Sequence, residues 1–84
     1  MKNIDAFKIF GTTIGTENIQ QLDEITIFAN AETLKKIASF LARAAREMDA
    51  EGLHHVHLQD AFENFSHEKH VDIIAHGDGA IKHG

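Results

Sequence analysis

Residues 30–52 read NAETLKKIASFLARAAREMDAEG, and the other elements are placed relative to this segment. Leu34, Ile37, Ala38, Leu41, Ala44, Ala45 and Met48 recur at steps of three and four, which lays one apolar stripe along a helix of 3.6 residues per turn. Phe40 widens the stripe at its edge. Asn30 has the short polar side chain that caps a helix start, Glu32 suits the positive end of the helix dipole, and Gly52 offers the left-handed conformation that stops a helix. Glu47, Asp49 and Glu51 crowd the negative end, an unfavourable effect of only a few tenths of a kcal/mol each at exposed positions, which packing of the stripe overrides.

Working outward, Glu24 to Ala29 (EITIFA) places Ile25 and Ile27 on one face in good strand-forming residues and reads as a strand feeding the helix. Ala6 to Ile14 reads as one strand bent at Gly11, followed by a polar loop through Thr16, Glu17, Asn18, Gln20 and Gln21. After Gly52, residues 53–58 read as a short strand or extended loop, Asp60 to Phe65 as a helical turn, and Val71 to Ala75 as a strand. The glycine-rich tail, residues 77–84, is expected to fray. The fold class is therefore α+β: a small, mainly antiparallel sheet of three to four strands with one long helix packed on one face. Its expected core is Ile27, Leu34, Ile37, Leu41, Ala45, Met48 and Ile73, with one of Ile25 and Phe28 and one of Phe62 and Phe65. On that reading Leu41→Asp unfolds the domain.

With 84 residues the chain has material for a single domain, and 43% hydrophobic with 25% charged residues is ordinary for a globular protein. Thirteen acids against eight Lys and Arg give a net charge of −5, which argues against a nucleic-acid partner, because phosphate binding draws on clustered cations. Residues 51–84 hold six acids and two lysines and form the anionic half, the candidate face for a basic partner. The absence of cysteine removes thiolate metal sites, disulfide scaffolds and thiol nucleophiles. Asp5 interrupts the stretch where a signal peptide needs its apolar region, and no apolar run approaches the ~20 residues that span a bilayer, so the reading is cytoplasmic with no membrane partner.

All seven histidines lie after the helix. On an extended strand His55 and His57 share a face, a spacing that lets two imidazoles hold one metal. A site needs a third ligand, and His67, His70, His76, Asp60 and Asp72 are the available donors; the metal alternative is thus a zinc or nickel module on His55, His57, His67 and His70. The blander reading, hydrogen-bonded or solvated histidines on a half-exposed strand with no cofactor, is preferred. Catalysis has little to work with. Ser39 lies within the helix, Ser66 sits in no nucleophile elbow, and Asp60 with Glu63 is most simply a solvated face. Residues 11–16 (GTTIGT) lack the lysine of a phosphate loop and read as a turn or bent strand.

The segment from Ile25 through the helix to His55-Val56-His57-Leu58-Gln59-Asp60, with Asp72-Ile73-Ile74 later, resembles a family of small bacterial immunity proteins of polymorphic toxin systems, over about residues 24–75. The helix followed at this distance by His-x-His-Leu-x-Asp carries the resemblance. It implies an α+β fold and a non-enzymatic protein that binds and neutralises a cognate toxin. It also singles out His55, His57 and Asp60, either as toxin contacts or as anchors of the corner after the strand, the corner being the simpler role. The other face of the sheet, or an unpaired strand edge, is a candidate for homodimerisation.

Overall fold

The structure is a computed structural model that describes residues 2–52 and 54–78. Strand β1 (Ile9–Gly11) and strand β2 (Gln20–Leu22) precede helix α1 (Ala31–Glu51); strand β3 (His55–His57), a 3-10 turn at Leu58–Asp60 and strand β4 (Ile74–His76) follow it. The class is α+β, as read from the sequence, but the strands form two separate two-stranded antiparallel ladders, β1 with β2 and β3 with β4, in place of one sheet of three or four.

Helix α1 starts and stops where its local chemistry directs. Asn30 Oδ1 accepts the Thr33 N–H at 2.8 Å, and Gly52, at φ 70°, donates its N–H to Met48 O. The buried face is rotated from the expected one. Phe40 and Ala44 are 3% and 1% exposed and, with Ile37 and Met48 half-buried, form the helical side of the core. Leu34, Leu41 and Ala45 are exposed, so the expectation that Leu41→Asp unfolds the chain is withdrawn. The apolar sector of α1 is wider than what packs on it, and Phe40, the largest residue on the sector, takes the covered side.

Strands β3 and β4 both pack on α1. Pairing of Val56 with Ala75 sets these two on the inner face, and Leu58, two residues beyond Val56, is 7% exposed and completes the core. The ladder continues past its strands through Leu58 N–H to Ile73 O and Gly77 N–H to His54 O, both 2.8 Å. Gly77 is therefore tied in, where fraying was expected; residues 79–84 of that tail lie outside the described residues, as does Leu53. A Cβ on Gly77 lies 3.6 Å from Met48 Sδ, which shows how closely the end of the ladder meets the last turns of the helix. Ile73, Phe62 and Phe65 are half-buried beside this core.

The N-terminal expectations fare less well. Glu24 to Ala29 joins no ladder, and Ile25, Ile27 and Phe28 are exposed; strand-forming residue types become a strand only where the tertiary context pairs them. The polar segment read as a loop instead supplies β2. A turn closed by Thr16 N–H to Thr13 O, with Gly15 at φ 90°, reverses the chain and brings Gln20 opposite Gly11. The GTTIGT segment is thus the end of a strand and a turn. Helical structure around Asp60 is confined to the 3-10 turn, and Phe65 N–H to Phe62 O closes a further turn.

Candidate functional site

Pleat alternation puts His55, His57, Ile74 and His76 on the outer face of the β3–β4 ladder. His55 stacks on its cross-strand partner His76, with centroids 5.8 Å apart and planes at 10°, and meets His57 edge-on at 5.3 Å. His55 and His76 are exposed, so this face presents a band of imidazoles to solvent.

His57 does something different. Its Nδ1 donates to Asp72 Oδ2 at 2.7 Å, and Asp72 Oδ1 accepts the Gln59 N–H at 2.9 Å. The two side chains are only 30% and 17% exposed, so their bonds are shielded from competing water. One carboxylate thereby pins the end of β3, satisfies an amide at the start of the 3-10 turn and fixes the entry to β4. Asp60, at the end of that turn, is exposed. Of the three motif residues, His57 anchors the corner, while His55 and Asp60 stand on the surface.

His67 and His70 gather elsewhere, about Phe65, with ring centroids at 5.0 and 5.4 Å from it. Ser66 N–H donates to His70 Nδ1 at 3.0 Å, while His70 N–H returns to Ser66 O, closing a compact turn. Ser66 Oγ accepts the Glu68 N–H and so serves its own loop. Among the described residues no group of three or more histidine or acidic side chains converges as metal ligands. The set His55, His57, His67 and His70 is not assembled, because the first two ride on β3 and the others close the turn around Phe65.

The sequence marks Asp72 as an available metal donor and as part of the Asp72-Ile73-Ile74 segment, but not as the partner of His57, which lies fifteen residues away. An open groove of about 460 Å³ along α1, lined by Glu32, Lys35, Lys36, Arg43 and Arg46 with Phe40 and Phe62, was not foreseen either. The signal was present: four of the eight cations fall within residues 35–46. This flank of α1 is mainly basic, with Glu32 in the groove and Arg43 paired to Glu47 at 3.4 Å.

A helix packed on the His-x-His ladder, with its Asp72 clasp, is the portion of the chain that matches a family model, that of immunity protein 32, over residues 24–78. The chain belongs to the immunity protein 32 family. No curated protein and no solved structure gives a significant match to it. The family match starts after β2, so the β1–β2 hairpin lies outside the matched residues, and α1, β3 and β4 lie within. No helix among the described residues of this immunity protein is long and apolar enough to cross a membrane.

Proposed function

We propose that this protein is a stoichiometric, non-catalytic inhibitor that binds a cognate bacterial toxin in the cytoplasm of the producing cell. Membership in the immunity protein 32 family is the observation that carries the reading. Physical support comes from the charge distribution. Asp60, Glu63 and Glu68 are exposed along the chain that joins β3 to β4. A toxin acting on an anionic substrate carries a basic cleft, and such a surface speeds encounter and orients docking. In this reading Asp60 and His55 touch the toxin, and His57 with Asp72 holds the corner that presents them.

The test is neutralisation. Co-expression with the cognate toxin in a host that the toxin kills is expected to restore growth, and the purified pair is expected to elute as an intact equimolar complex. Charge reversal with Asp60→Lys and Glu63→Lys together is expected to slow association by about tenfold at low salt, leaving the circular dichroism spectrum unchanged. Release of a cleaved or chemically altered toxin would overturn the non-catalytic reading. An association rate insensitive to the reversal would move the interface off the acidic surface.

A further inference from the structure

The helix keeps an apolar seam that the other described residues leave largely exposed. Leu34 and Leu41 are 41% and 44% exposed, Ala38 and Ala45 are exposed, and Met48 is half-buried at the end of the row. These residues recur at steps of four, three, four and three, the spacing by which one helix presents a continuous seam to another. The buried residues Phe40 and Ala44 lie on the neighbouring sector, so the seam meets the core at its last residue, Met48, while Leu34, Ala38, Leu41 and Ala45 lie outside it.

We infer that this seam is a homodimer interface in which α1 pairs antiparallel with α1 of a second copy, about a two-fold axis near Arg43. The sequence of the seam is self-complementary in that direction only. Placing Leu41 against Ala45 of the second copy also places Ala38 against its Met48, and symmetry repeats both layers. Every layer then sets one small side chain against one large one, which fills the space between the helices evenly. A parallel pair would instead stack alanine on alanine and leucine on leucine, alternating gaps with crowding.

Charge selects the same arrangement. The antiparallel register brings exposed Lys35, at the flank of the seam, beside exposed Asp49 of the second copy, and the two-fold axis makes this pair twice. Exposed Ala42 then meets its own symmetry mate, leaving the middle of the flank without like charges. In a parallel dimer Lys35 has no acid opposite it. A second copy of this chain thus fits the seam in both volume and charge, independently of the toxin-binding reading and on a sector of the molecule distinct from the acidic β3–β4 surface.

Sedimentation or light scattering of the purified full chain across the micromolar range tests the inference, with circular dichroism as the control for folding. The expected result is a concentration-dependent dimer. Leu41→Asp is expected to give a folded monomer, because Leu41 supports the seam and not the core. Lys35→Glu and Asp49→Lys singly are each expected to weaken association by about tenfold, since two pairs per dimer turn repulsive, and the double reversal is expected to restore it. The chain has no native cysteine, so direction is read from single-cysteine variants: a short bis-maleimide is expected to cross-link Ala42→Cys and not Leu34→Cys. A chain monomeric throughout the range, or a dimer untouched by Leu41→Asp, overturns the proposal. Cross-linking through position 34 in place of 42 overturns the antiparallel register. Should the free chain be monomeric and Leu41→Asp abolish toxin binding, the seam belongs to the toxin and the second copy is refuted.

Discussion

The two ladders of this protein have the same size and antiparallel form, yet they are held in different ways. The β3–β4 ladder lies on α1, buries Leu58, and is locked at its corner by Asp72, which serves both His57 and the Gln59 amide. The β1–β2 ladder rests mainly on its own pairing and its Thr13–Thr16 turn; Phe7, Phe10 and Ile19 around it are exposed, and no comparable packing on α1 accompanies it. A lone hairpin is at best marginally stable in water, so backbone pairing alone does not make a stable unit. What distinguishes the second ladder is burial of one face and a shielded polar clasp, and this is the part that coincides with the family match.

The comparison can be broken at several points. Phe40→Ala removes the largest buried side chain of the α1–β3–β4 unit and is expected to destabilise it by about 3–5 kcal/mol, enough to leave much of a small domain unfolded by urea titration at room temperature. Asp72→Ala strips acceptors from His57 and from the Gln59 amide at once. Its expected cost is about 2 kcal/mol, and a double-mutant cycle with His57→Ala should return a coupling of order 1 kcal/mol. A coupling of zero would mean that the clasp contributes only through the amide.

Glycine supplies a sharper contrast, because each region contains one with positive φ and open space where a Cβ would stand. Gly52→Ala, at the end of α1, is expected to lower the global unfolding free energy by about 1 kcal/mol. Gly15→Ala carries a similar local strain in the hairpin turn, yet is expected to shift global unfolding by less than about half of that, while hydrogen exchange of the β1 and β2 amides speeds up. Equal global effects would show that the hairpin unfolds together with the rest.

Legibility followed the range of the interactions. Asn30 and Gly52 marked the ends of α1 because capping involves residues within one turn of each other. Residues 53–58 read as a strand or an extended loop, and pairing with β4 makes His55–His57 a strand; Val71 to Ala75 located β4 to within a few residues. By contrast β2 had only Gln20, Gln21 and Leu22 to announce it, and the better signal lay upstream in the Gly15 turn that folds it back on β1. The motif residues were found, but their division of labour was not, since the His57 bond to Asp72 crosses fifteen positions of chain.

The fold class, the limits of the long helix, the anionic character of the second half and the family follow from the amino-acid order alone. Each of these rests on composition, on a short motif or on chemistry within a few residues. Packing between distant elements sets the rest: which side of α1 is covered, that the strands form two ladders and not one sheet, and that His57 is a clasp while His55 and Asp60 face solvent. An apolar sector broader than its covering has more than one way to pack, and the choice is made by shape across elements distant in sequence, here by Phe40 and Ala44 of α1 against the ladder that carries Leu58.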